Sequence, residues 1–194
     1  MKIIHFSHCN LGSAEASTAH VMEFADRLRK RGHDVIVLAP LKGIYKKETP
    51  CKMFYYPYIN LKGLRQPTAI IFGFITLLLL QGVFKFDLIY IRRITLDCFP
   101  AFFSRITGVP LIVETNGQIE NHEYEVPIHF LWSCFWYPML KLFERILFNT
   151  AFAVTADGDG RLQNFKRKYS NSTEKFNMIR SGGIDLDRFY RINK

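Results

Sequence analysis

A chain of 194 residues that is 48% hydrophobic and 15% aromatic has apolar surface enough for one well-buried domain, which excludes disorder and leaves little room for a second full domain. Its net charge of +9 suits phosphorylated substrates or anionic headgroups as partners. Nucleic acid is not expected, because no nucleic-acid-binding signature is present and the basic residues are scattered through helix-like segments as well as loops.

The opening "MKIIHFSH" is an apolar run with β-branched residues, which reads as a buried strand and not as a secretion signal. The small-residue loop "CNLGSAEAS" follows, and "TAHVMEFADRLRKRGHD" then places Val21, Phe24, Ala25 and Leu28 on one helical face. A basic last turn and Gly32 close that helix, and "VIVLAP" is a second buried strand. Strand, loop, helix and strand within about forty residues imply a right-handed βαβ unit in a parallel sheet.

The alternation continues. "KMFYYPYI" reads as a third strand that Pro57 confines to an edge. "TAIIFGFITLLLLQGVF" is a long apolar segment, "FDLIYIRR" a strand, "LDCFPAFFSRITG" helix-like, and "VPLIVETNG" a strand ending in a polar loop. "HFLWSCFWYPMLKLFERILFNT" reads as an aromatic-rich helix pair whose second half Pro138 kinks or starts. "AFAVTA", "DGRLQNFKRKY" and "EKFNMIRSGG" complete the series as strand, helix and strand. The expected fold is α/β: a doubly wound, mostly parallel Rossmann-like sheet of six or seven strands with helices on both faces. Cys9, Cys51, Cys98 and Cys134 form no CxxC pair, and the six histidines show no metal-ligand spacing, so reduced thiols and no metal site are expected.

In such a sheet ligands bind beyond the carboxyl ends of the strands. Gly12 and Ser13 precede a helix N-terminus, where free N–H groups favour an anion such as a diphosphate, though a plain βα turn capped by Ser17 or Thr18 fits the same spacing. Arg92 and Arg93 end a strand at the same edge, as a grip for phosphate or carboxylate or as a salt-bridged strand end. The loop "VETNGQIENHE" gathers Glu114, Asn116, Gly117, Glu120, His122 and Glu123 after a buried strand. Partial burial is expected to raise the pKa of Glu114, fitting it to act as a base or to orient a sugar hydroxyl; a solvated Asn-Gly turn is the simpler account of the loop.

Together these segments resemble the N-terminal, acceptor-side half of GT-B glycosyltransferases, in particular the large retaining group of the family 4 type. The resemblance rests on "MKIIHFSHCNLGSAEAS", "VMEFADRLRKRGHDVIVLAP", "FDLIYIRR", "GVPLIVETNG", "AFAVTADGDGRLQNF" and "EKFNMIRSGGIDLDRF", and it covers nearly the whole chain. Ser13 stands where a second glycine is usual, and Glu114 with "NG" where many relatives have histidine. Ser181 and Gly182 replace the usual proline and asparagine, whereas Gly183, Ile184 and Asp185 match.

The resemblance implies transfer of a sugar from a nucleotide sugar to a glycan or lipid-linked acceptor, with retention and with no cofactor or metal. It places Gly12, Ser13 and Gly183 among the donor and substrate contacts with Arg92, and Glu114, Asn116 and Gly117 near the acceptor, Glu114 in a positioning or base role. It also implies a domain over residues 1–180, a linker beginning at 181–194, and a missing donor-binding half supplied by a further domain or a partner subunit. Two other readings fit parts of the pattern: a non-catalytic membrane-recruiting subunit and an unrelated mononucleotide-binding flavodoxin-like protein.

The run from Ala69 to Phe84 is sixteen residues, short of the roughly 20 of a spanning helix, so a buried or interfacial helix is expected. With the tryptophans and phenylalanines of "HFLWSCFWYPMLKLFERILF" and the positive charge, this suggests a cytoplasmic protein held peripherally on an anionic membrane surface.

Overall fold

The computed structural model describes residues 1–12, 16–41, 51–61, 64–92, 98–115, 137–156 and 158–178. Seven strands form one sheet in the order β3-β2-β1-β4-β5-β6-β7: β1 (Lys2–Phe6), β2 (Asp34–Pro40), β3 (Lys52–Tyr56), β4 (Leu88–Arg92), β5 (Leu111–Thr115), β6 (Ala153–Ala156) and β7 (Phe176–Met178). Every pairing is parallel. The order is that of the doubly wound dinucleotide-binding sheet and not the 2-1-3-4-5 order of flavodoxin. β3 is an edge strand, and Pro57 follows its last residue, where no ladder hydrogen bond needs its missing N–H.

Among the described residues five helices connect the strands: α1 (Ala16–Lys30), α2 (Arg65–Phe84), α3 (Phe99–Thr107), α4 (Tyr137–Thr150) and α5 (Asp159–Lys168), with a short 3-10 turn at Ser170–Lys175. Pro138 therefore starts α4, in the first turn where its missing N–H has no intrahelical partner to lose. α1 ends in a double hydrogen-bonded turn: Gly32 N–H donates to Arg29 O at 2.8 Å and His33 N–H to Leu28 O at 3.2 Å. Gly32 takes the left-handed φ of 85° that this turn requires.

Alternation along the buried strands sorts side chains to two faces. Ile4, Phe6, Ile36, Leu38, Ile89, Ile91, Leu111, Val113 and Val154 point to one face, where Leu77 and Leu80 of α2, Phe103 of α3, Phe148 of α4 and Phe165 of α5 close the larger core. Val35, Val37 and Ala39 point to the other, packed with Leu11 and with Val21, Met22 and Ala25 of α1. The larger core is tied at one end by Glu144 of α4, buried and hydrogen-bonded to Lys168 Nζ at 2.7 Å and to the Tyr169 hydroxyl.

α2 seats closely on the sheet through Gly73. A Cβ there would lie 3.0 Å and 3.2 Å from two ring carbons of Phe6 and 3.5 Å from one of Tyr56, both buried. Replacing Gly73 by leucine is expected to lift α2 off the sheet and lower stability by about 1–3 kcal/mol, read as a fall of several degrees in Tm. An unchanged Tm would show that α2 does not seat there.

Candidate functional site

The strand order reverses between β1 and β4, so the crevice of this sheet opens beyond the carboxyl ends of those two strands and of β5. Around it the α1 face of the sheet carries most of the buried polar side chains, where the opposite face is mainly apolar. His5 pairs in register with Tyr90, and Arg92 with Glu114. Residues two apart share a face, so these four side chains stand together under α1.

α1 adds His20. Its Nε2 is 3.1 Å from Glu114 Oε2, within a hydrogen bond, and 3.0 Å from Oε1. The Tyr90 hydroxyl donates to Oε2 at 2.6 Å, and Arg92 Nε lies 3.9 Å from Oε1. Aromatic contacts hold the group: Phe24 stacks on Tyr90 with ring centroids 4.2 Å apart, and His5 stands edge-on to Tyr90 at 5.1 Å. His20 sits one turn before Phe24 on the same side of α1 and lies parallel to its ring.

The electrostatics reverse one sequence expectation. Burial pushes the Glu114 carboxyl up, but the hydrogen bonds from His20 and Tyr90 and the charges of His20 and Arg92 outweigh it and hold the group at about 2. Glu114 is therefore a fixed anion at neutral pH and a poor proton acceptor, not a base of raised pKa. The same surroundings keep the Tyr90 phenol protonated, burial and the Glu114 charge raising it well above its ordinary value. His5 is fully buried, and burial drives it down to about 3, so it is a neutral ring in the core.

Because an ionised carboxylate only accepts hydrogen bonds, His20 donates through Nε2–H. In the neutral ring this leaves Nδ1 as an acceptor, on a side chain still 27% exposed. The pair can thus hold a hydroxyl by accepting its proton in a hydrogen bond. Arg92 keeps one nitrogen, Nη1, without a hydrogen-bond partner among the described residues, which adds a buried donor beside the carboxylate.

The loop after β1 is organised by its own side chains. Ser7 Oγ accepts the Cys9 N–H at 3.1 Å, and Asn10 Oδ1 accepts the Gly12 N–H at 3.2 Å, leaving Gly12 exposed at the turn. α1 starts at Ala16, so Ser17 and Thr18 lie inside its first turn and do not cap it; the Thr18 hydroxyl donates to Asn10 O at 2.9 Å. Arg92 stands at the end of β4 with its Nε 3.9 Å from Glu114 Oε1. Ser13, Arg93, Asn116, Gly117, Glu120, His122, Glu123 and Gly183 lie outside the described residues. The structure brings Glu114 and Arg92 together and adds His20, Tyr90 and His5, none of which the sequence reading singled out. Their signal was parity: polar residues at same-face positions of strands otherwise apolar on both faces.

The sequence profile of Glycosyltransferase Family 4 matches residues 17–188. The chain belongs to glycosyltransferase family 4. No curated protein matches it by sequence. Among solved structures it is similar to HepE from Anabaena in complex with UDP and glucose, at TM-score 0.62 and 19% identity over 96% of this chain and 46% of that one. It is likewise similar to sucrose-phosphate synthase from Thermosynechococcus elongatus, at TM-score 0.69 and 13% identity over 98% and 50%. UGT2 from Phytolacca americana, complexed with UDP-2-fluoro-glucose and pterostilbene, gives TM-score 0.62 and 11% identity over 94% and 53%. These likenesses show the GT-B fold, and the family 4 chain spans about half the length of each of these proteins.

The two low pKa values make a signed prediction. His5 binds a proton near pH 6.5 when unfolded and near 3 when folded, so its contribution falls as pH drops below 6.5; that of Glu114 falls between 4.5 and 2. Between pH 6.5 and 5 the His5 contribution costs up to about 1.4 kcal/mol per pH unit. Thermal melts of His5→Phe should show a flatter Tm–pH profile than the wild type over that interval, and parallel profiles would place His5 in contact with water.

Proposed function

We propose that this domain forms the acceptor side of a glycosyltransferase that moves a sugar from a nucleotide sugar to a hydroxyl of a lipid-linked or polysaccharide acceptor. The donor-binding half is a second domain or a partner subunit, and the reaction takes place in the cleft between them. One observation carries the reading: the His20–Glu114 pair, backed by Tyr90 and Arg92, at the strand ends where the sheet order reverses. Family membership and neighbours whose structures hold UDP or UDP-glucose support a nucleotide sugar as donor.

In this reading Glu114 is a positioning residue and His20 touches the substrate. The buried carboxylate fixes the imidazole, whose Nδ1 accepts the hydrogen bond of the attacking hydroxyl and aligns its oxygen with the anomeric carbon. The transfer retains the anomeric configuration, with the departing phosphate oxygen taking the acceptor proton on the same face, so the dyad orients and need not remove it. Retention follows the resemblance to the retaining group. If the product anomer, read by NMR, were inverted, retention would be wrong and His20 would be the general base.

In the complete transferase, assayed with a panel of UDP-sugars, His20→Ala should lower kcat roughly a hundredfold with little change in donor KM. Glu114→Gln should lower it by a similar factor, since the two act as one unit. Wild-type turnover in a folded His20→Ala enzyme would remove the dyad from the reaction.

A further inference from the structure

α2, α3 and α4 lie side by side over the larger core, α2 against α3 and α3 against α4. Their outward sides are unusual in composition. On α2 the exposed positions Ile71, Ile75, Leu79 and Val83 fall at steps of four, and the last two are 66% and 74% exposed. α3 adds exposed Phe102 and Ile106, and α4 adds Leu142. No charged residue occurs between Gln66 and Phe84.

The charges that border this stripe have one sign. Exposed Arg105 lies between Phe102 and Ile106 on α3, exposed Lys141 and Arg145 flank Leu142 on α4, and exposed Lys85 ends α2. The three helices contain a single carboxylate, Glu144, which is buried and paired with Lys168 and Tyr169. Among the described residues the outward side of this layer is therefore apolar and basic with no acidic side chain. An apolar protein partner would match the stripe but not the uniform positive rim; a leaflet with anionic headgroups over acyl chains matches both.

We propose that the outward face of α2, α3 and α4 is a docking surface for an anionic lipid leaflet, with α2 lying in the plane of the headgroups. α2 is long and apolar enough to cross a membrane, at mean hydropathy 2.0 over Pro67–Phe84. Crossing would withdraw Leu77, Leu80 and the Gly73 contact from the core. The helix lies on the bilayer and does not span it. Because α2 returns from the end of β3 to the start of β4, it runs antiparallel to the strands, so docking along its length keeps the crevice at one end, beside the leaflet. The docking rests on this face alone and not on the sugar-transfer reading.

The test uses flotation of the full chain with vesicles of phosphatidylcholine, with and without a phosphatidylglycerol fraction of roughly a third, which supplies the negative surface potential. Wild-type protein should float with the anionic vesicles, less so at high salt, and not with phosphatidylcholine alone. The exposed double substitution L79E/V83E, and separately R105E/R145E, should each weaken partition roughly tenfold while circular dichroism and Tm stay unchanged. Failure of the wild type to float, or equal flotation of folded variants, would overturn the proposal. So would alkali-resistant insertion, which would make α2 a span, or a concentration-dependent dimer abolished by L79E/V83E, which would make the face a contact between copies. None of these outcomes bears on transfer to a soluble acceptor.

Discussion

A single buried negative charge organises the chemical half of this domain. The Glu114 carboxylate sits at the end of β5, where removal from water alone would favour its protonation. It stays ionised because a phenol from β4, an imidazole from α1 and a guanidinium from β4 converge on it. Those partners are 22 to 94 residues away in sequence, so the charge is tolerated only when β4, β5 and α1 are in register. Loss of any one leaves the anion undercompensated, which links the order of the crevice directly to the packing of α1. The neighbouring histidine shows the other side of the balance. His5 feels the attraction of Glu114, but deep burial and the positive charges already present keep it neutral.

The sheet separates two kinds of surface. Under α1, polar residues of β1, β4 and β5 stand at alternate positions near the strand ends, and Tyr90 and Arg92 of β4 reach across to Glu114 of β5. On the opposite side the same strands offer mainly aliphatic and aromatic groups, and α2 to α5 cover them. Parallel strands buried on both faces ordinarily read as continuous apolar runs. The departures from that rule in "IIHF", "LIYIR" and "LIVET" are therefore informative: each interrupts its run on the α1 face and towards the open end of the sheet.

Much of the fold was legible because its signals are local. Pro57 marks β3 as an edge, Gly32 marks the end of α1, and the apolar runs give the strands in order. The site was legible only in part, because its signals are not local. Glu114 stood out by its place after a strand, yet burial alone gave the wrong direction for its pKa, since the partners that reverse it come from distant segments. His20 matches no metal-ligand spacing, and its one local signal is its position four before Phe24, which puts both on the same face of α1. α2 was measured from Ala69 and so judged short; it begins at Arg65, because Pro67 is accommodated in a first turn that has no N–H bonds to lose.

The length and pattern of α2 also explain why composition could not assign it to core or surface. A helix on a globular surface usually turns a polar face to water, and a helix apolar all round is usually enclosed. α2 is apolar over most of its length and only half enclosed: Gly73, Leu77 and Leu80 meet the sheet, while Ile71, Ile75, Leu79 and Val83 are exposed. Two of its polar side chains are spent locally, Thr68 on the Leu64 carbonyl and Gln81 on the Phe86 N–H. The proposed docking places such a helix between two apolar phases, the protein core on one side and a lipid leaflet on the other. In that proposal the basic residues on α3 and α4 form the border where the leaflet meets water.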